Sequence, residues 1–147
     1  MKTIEVKTDI LISVNSEKVA LYAADPDNAP KWYNNIKSVE WKSPKPLAIG
    51  SQVAFIAQFL GRKLEYTYAI TEYIPGKKLV MRTADGPFEM QTTYLWVAIN
   101  ENTTQMTLIN KGSPQGFSAI YSPFMKMAMR KANEKDLKKL KGMLENS

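Results

Sequence analysis

The chain contains no cysteine and no histidine. Without cysteine there are no disulfides, no thiolate nucleophile and no sulfur-ligated metal. Without histidine the side chain that most often moves protons near neutral pH is missing, as is the commonest metal ligand. Long apolar runs are missing too, since no stretch approaches the roughly 18 residues needed to cross a bilayer. Met1 to Asp9 carries Lys2, Glu5, Lys7 and Asp9 and lacks the apolar segment and small-residue cleavage site of a secretory signal. A reducing cytoplasm is the expected location. There is no phosphate-cradling glycine loop, no dinucleotide fingerprint and no nucleophile elbow. Asp25-Pro26-Asp27-Asn28 looks faintly like the start of a calcium loop, but the glycine and the distal glutamate are missing. It is read as a helix break and cap. No metal site and no cofactor are expected.

What is present is a chain of 147 residues with a formal net charge of +6. That length suits one domain, residues 1–147, burying roughly 70% of its unfolded surface without staples. The charge could mark an anionic partner. Much of it, however, falls on Lys126, Arg130, Lys131, Lys135, Lys138, Lys139 and Lys141, largely on one side of a single predicted helix. A solvated helix face accounts for it, and no motif of basic and aromatic residues points to nucleic acid. Neither nucleic acid nor stable membrane insertion is expected. Weak contact with an anionic surface through this helix is the partner role the charge leaves open.

Apolar residues alternate through most of the chain. Ile4, Val6, Ile10, Ile12 and Val14 share one face of a first strand. Asn15-Ser16 caps a short helix that buries Val19, Ala20 and Ala23, and Asp25-Pro26 ends it. A second short helix is predicted over Asn28 to Asn34, with Trp32 and Tyr33 inward. Ile36 to Trp41 is the second strand. From Gly50 the strands follow in quick succession. Val53, Phe55, Ala57 and Phe59 share a face, then Leu64, Tyr66, Tyr68 and Ile70, then Leu79, Met81 and Thr83. Phe88, Met90, Thr92, Tyr94 and Trp96 make the longest set, and Met106, Leu108 and Asn110 close the series. Short turns between them, Pro75-Gly76-Lys77 among them, imply antiparallel pairing. The opposite face carries Ala54, Ile56, Val80, Leu95, Val97 and Ile109. A one-residue register slip would exchange the two faces.

A long amphipathic helix ends the chain. It is predicted over Phe117 to Leu144, or from Ser122 if Pro123 occupies its first turn. Its apolar stripe includes Phe124, Met125, Ala128, Met129, Ala132, Leu137, Leu140 and Leu144, and Asn133 at the stripe's edge reads as a helix-side hydrogen bonder. Met125, Met127 and Met129 read first as core filling, although methionine also lines sites for varied apolar ligands. The result is an α+β protein in which an antiparallel sheet is closed by one helix. A hollow between the two would hold polar groups in phase with apolar ones. These are Glu72, Thr83, Thr92 and Asn110, with the hydroxyls of Tyr66, Tyr68 and Tyr94. Singly, each is explained by bonding to a neighbour, to water or to solvent. Together they are the kind of polar points that orient a ligand in an apolar pocket.

Several segments carry a resemblance. Ser16-Glu17-Lys18-Val19 and Asp25 through Tyr33 look like the N-terminal helix pair of the START-related (SRPBCC) superfamily. Gly50-Ser51-Gln52-Val53 is similar to its G-S-x-V segment, and Glu72-Tyr73-Ile74-Pro75-Gly76-Lys77-Lys78-Leu79 to its E-Y-x-P-G-K-x-L hairpin. Thr103-Thr104-Gln105-Met106-Thr107-Leu108 resembles its G-T-x-M-T-L strand, with Thr103 where glycine is usual. The resemblance implies a helix-grip fold: a curved seven-stranded antiparallel sheet around a long C-terminal helix, with two short helices after the first strand. It further implies a START-like ligand-binding domain for a small hydrophobic or amphipathic, lipid- or polyketide-like molecule. The expected cavity lining is Trp41, Phe55, Phe59, Tyr66, Tyr68, Glu72, Met81, Met90, Thr92, Tyr94, Trp96, Asn110, Phe124, Met125 and Met129. Two alternatives remain open. One is a polyketide cyclase or dehydratase using Glu72, Tyr66 or Tyr94. The other is a chaperone-activator-like interaction module using Lys131, Lys135 and Lys138. No catalytic residue is assigned, and the lack of histidine favours a holder over a catalyst.

Overall fold

A computed structural model describes residues 4–59, 61–85, 89–112 and 122–147, with the backbone alone for residues 59 and 122–125. Seven strands form one antiparallel sheet: β1 Ile4–Ile12, β2 Ile36–Trp41, β3 Gln52–Phe59, β4 Arg62–Ile74, β5 Lys78–Asp85, β6 Met90–Asn100 and β7 Thr103–Gly112. Their spatial order is β1-β7-β6-β5-β4-β3-β2. Consecutive strands from β2 to β7 are therefore neighbours, as their short turns require. Only β1 crosses over, to pair with β7 from Ile4 opposite Gly112 to Ile12 opposite Thr104. The helices are α1 Ser16–Ala24, α2 Ala29–Trp32 and α3 Ser122–Glu145. The sheet curls around α3, giving the helix-grip architecture.

Local chemistry sets the element ends. Asn15 caps α1, its side chain accepting a hydrogen bond from the Glu17 amide at 2.9 Å. Asp25 ends α1 and caps the next segment by accepting from the Asp27 amide at 3.0 Å. That segment is a 3₁₀ turn, Pro26–Asn28, so α2 is shorter than the predicted Asn28 to Asn34 helix. Gly76 has φ +81 in the β4–β5 turn, where Lys77 N donates to Ile74 O at 2.9 Å. Proline followed by a positive-φ glycine is the type II turn pattern. The described part of α3 begins at Ser122, so the predicted residues Phe117 to Tyr121 lie outside the described residues.

The predicted inward face is the observed one for Val53, Phe55, Tyr66, Ile70, Met81, Tyr94 and Leu108, all of which are buried. One correction concerns Glu72. Pairing between β4 and β5 steps from Ile70 opposite Met81 to Glu72 opposite Val80, leaving Thr71 as a bulge. The extra residue reverses the alternation. Glu72 therefore faces outward beside Val80 and Lys78, whereas Tyr73 packs against the core.

The inner face divides along the strands. Toward α1, α2 and the C-terminal half of α3 it is solid, with Ile12, Val19, Trp32, Leu79, Trp96, Met106, Leu137, Leu140 and Leu144 in one cluster. Beyond it a smaller cluster gathers Ile4, Val6, Leu64, Tyr66 and Met129. Lys141 Nζ donates to Leu11 O at 2.8 Å, and the Ser13 amide donates to Glu145 Oε2 at 2.7 Å. These bonds pin the C-terminal end of α3 to β1. Near its middle, the Asn34 amide donates to Asp136 Oδ1 at 2.9 Å, tying the α2–β2 connection to the helix.

Candidate functional site

Where the two clusters meet, the space is not filled. A cavity of about 160 Å³ lies between the sheet and α3. The sheet supplies Phe55 and Ala57 from β3, Leu64, Tyr66 and Tyr68 from β4, Met81 from β5, Met90, Thr92 and Tyr94 from β6, and Asn110 from β7. Period-two alternation brings these residues to one face. The helix supplies Met129, Ala132, Asn133 and Asp136, at steps of three, one and three residues along one side. Ala29, Tyr33, Asn35 and Ile36 close the end nearest α2.

Nine of the expected residues line this cavity: Phe55, Tyr66, Tyr68, Met81, Met90, Thr92, Tyr94, Asn110 and Met129. Three do not. Glu72 is outside the sheet for the reason given above and sits 3.2 Å from Lys78 Nζ. Trp96 faces inward but lies one inward step beyond Tyr94. It fills the solid core, with its ring edge-on to Tyr94 at 5.9 Å. Trp41 stands at the far end of the edge strand and donates from Nε1 to Asp27 Oδ1 at 2.9 Å. It lines a separate surface groove of about 820 Å³ between α1 and the end of α3. That groove is larger, but the side chain of Asp27 within it is already engaged by Trp41 and, at 2.6 Å, by Lys45. The side chains of Phe59, Phe124 and Met125 lie outside the described residues. Met127 is 59% exposed, so of the described methionines of the predicted cluster only Met129 faces inward.

The polar groups separate into two sets. Thr92 Oγ1 donates to Asn110 Oδ1 at 3.0 Å, and Tyr68 also engages Thr92. These groups largely satisfy one another. At the other end, the Tyr33 and Tyr94 hydroxyls are 2.5 Å apart. Burial pushes both phenols well above their usual range, and nearby Asp136 adds to the effect. Burial likewise raises Tyr66, and raises Tyr68 to about 12. All four therefore stay protonated near neutral pH and act as neutral hydroxyls, not as phenolate bases.

Sequence reasoning missed Tyr33 and Asp136, and it assigned Asn133 a bland role. Asp136 is 3% exposed, and among the described residues its one hydrogen bond is from the Asn34 amide. Burial raises its carboxyl to about 6, opposed by that amide and by Lys135 and Lys139. Asn133 is 5% exposed, and its Nδ2 has no hydrogen-bond partner among the described residues. A signal was present. Asn133 and Asp136 fall in step with Met129, Leu140 and Leu144, so two polar residues interrupt an apolar stripe.

An antiparallel sheet thus closes on a C-terminal helix around an apolar, tyrosine-rich cavity. The family model for polyketide cyclase / dehydrase and lipid transport matches residues 3–146, and the chain belongs to that family. Solved structures agree in fold. A START superfamily protein from Mycobacterium smegmatis superposes with a TM-score of 0.83 at 15% identity, over 97% of this chain and 98% of that one. The Zhui aromatase/cyclase from Streptomyces sp. R1128 gives 0.82 at 13% identity, over 99% and 95%. The ginseng major latex-like protein 151 from Panax ginseng gives 0.70 at 11% identity, over 97% of each. No curated protein sequence matches. Among the described residues, no helix is long and apolar enough to cross a membrane.

Proposed function

We propose that this protein binds a small hydrophobic or amphipathic molecule in the cavity between its sheet and α3, as a carrier or sensor. The observation that supports this reading is the cavity itself. Close packing leaves few voids larger than a water in an ordinary interior, yet about 160 Å³ stays open here. Aromatic and methionine side chains surround the space, with a few polar side chains among them. The family includes both transport and cyclase or dehydrase activities by its description. The residues favour holding over turnover: the four cavity tyrosines remain protonated, and Glu72, the first candidate for acid–base work, is outside.

Thermal shift against a panel of small aromatic and aliphatic compounds tests the reading. A compound at about 100 times its Kd stabilises a folded protein by roughly 2.7 kcal/mol. Ala132→Leu should place a larger side chain in the cavity and abolish that stabilisation while the protein stays folded. Failure of every panel member to give a saturable shift, or shifts unaffected by Ala132→Leu, would contradict it. A cyclase or dehydratase reading would draw on Asp136 in place of Glu72, because Asp136 is the buried carboxyl that reaches the cavity. Its test is turnover that is lost in Asp136→Asn and retained in Glu72→Gln.

A further inference from the structure

Three features of the cavity's helix side point to one kind of ligand. The first is Asn133 Nδ2, a buried donor without a partner among the described residues. Such a group is costly to leave unpaired, so it marks a place where an acceptor belongs. The second is Asp136, three residues along the same helix. A carboxylate has two oxygens and about four acceptor positions, and among the described residues only the Asn34 amide uses one. Residues three apart sit side by side on a helix, with their Cβ atoms about 5–6 Å apart. The third is charge: Asp136 lines the cavity, and no lysine or arginine does so among the described residues. An anionic headgroup would enter a site with a buried carboxyl and no counter-charge, which is strongly unfavourable.

Size narrows the choice further. An apolar cavity of roughly 150 Å³ holds a benzene ring, and this one measures about 160 Å³. Phe55, Tyr66, Tyr68 and Tyr94 offer a ring edges and faces to pack against. A hydroxyl group both donates and accepts, so a single one serves Asp136 and Asn133 together. An ammonium cannot accept, and a carboxylate cannot donate.

We infer that the cavity is selective for a small ring compound carrying a neutral hydroxyl, a phenol-type ligand. Its hydroxyl donates to Asp136 and accepts from Asn133 Nδ2. The carboxyl of Asp136, raised to about 6, is mostly ionised at pH 7.5 and able to accept. This selectivity rests on the cavity being the binding site, and it adds the class of ligand and the residues that read it.

The test titrates three probes of one shape, p-cresol, toluene and 4-methylbenzoate, at pH 7.5, following the methyl resonances of Met81, Met90 and Met129. A hydrogen bond to a charged group makes p-cresol bind roughly ten- to a hundredfold tighter than toluene, with 4-methylbenzoate weakest. Asn133→Leu and Asp136→Asn should each shrink the preference for p-cresol over toluene while toluene still binds. Equal binding of p-cresol and toluene at the cavity methyls overturns the selectivity but leaves the cavity as the site. Tighter binding of 4-methylbenzoate overturns it as well. If none of the three shifts these methyls while larger apolar compounds do, the ligand class is wrong. If nothing shifts them at all, the binding reading falls too.

Discussion

Asp136 carries the most consequence of any single residue. Its buried carboxyl faces Tyr33 beyond α2 and Tyr94 on β6, accepts from the Asn34 amide, and has Lys135 and Lys139 on its own helix. Burial raises its pKa from 3.8 to about 6, so the folded protein holds the proton after the unfolded chain has released it. Its contribution to stability is therefore full below about pH 3.8 and is lost as pH rises through about 6. Asp136→Asn keeps the acceptor for Asn34 and removes the charge. We expect that variant to be more stable than the parent above pH 7, by on the order of 1–2 kcal/mol. It should also lack the parent's decline between pH 4 and 6, superposed as that is on other carboxylates. Chemical denaturation at pH 4.5 and 7.5 measures both, and a variant less stable at pH 7.5 would contradict the account. The interruption of a helical stripe by Asn133 and Asp136 is present in the sequence, but Asp136 was not read from it. The sequence did not show that the α2–β2 connection places the Asn34 amide and Tyr33 against them.

At the scale of elements, the strands and most of the inward face were legible, because alternation over five or more residues leaves little freedom of register, whereas the pairing of β1 with β7 was not. β4 escaped that logic at one point. Nothing in Ile70-Thr71-Glu72-Tyr73 marks a bulge, since no glycine is present and Thr71 suits either face. The bulge moved Glu72 outside, into a partly exposed pair with Lys78. Glu72→Ala should therefore cost less than about 1 kcal/mol and leave ligand affinity unchanged, which a binding isotherm checks. A tenfold loss of affinity would return Glu72 to the site. The helix behaves oppositely. Leu140 is fully buried against the solid core, so Leu140→Ala should cost about 2–5 kcal/mol in a denaturant melt. A cost below that range would mean that α3 is held less by this core than by its polar ties to β1.

The whole molecule is a half-barrel with one end packed solid and the other left open inside. Seven of its 20 basic residues are on α3, where Lys131, Lys135 and Lys138 are exposed. The closure of the sheet by one helix was legible in the sequence because hydrophobic periodicity reports which faces meet. The position of the void was not, since periodicity does not report where facing side chains fail to touch. Trp41 and Trp96 illustrate this: both are in phase with the cavity residues, yet each lies away from the cavity. Methionines mark every compartment of the fold: Met81, Met90 and Met129 line the cavity, Met106 is in the solid core, Met143 lines the surface groove and Met127 is exposed. A methyl spectrum of methionine-labelled protein, titrated with a binder from the compound panel, therefore reports where the ligand sits. Binding in the cavity predicts saturable shifts at Met81, Met90 and Met129 with Met127 and Met143 unmoved. Shifts centred on Met143, with the cavity methyls silent, would place binding in the surface groove and contradict it.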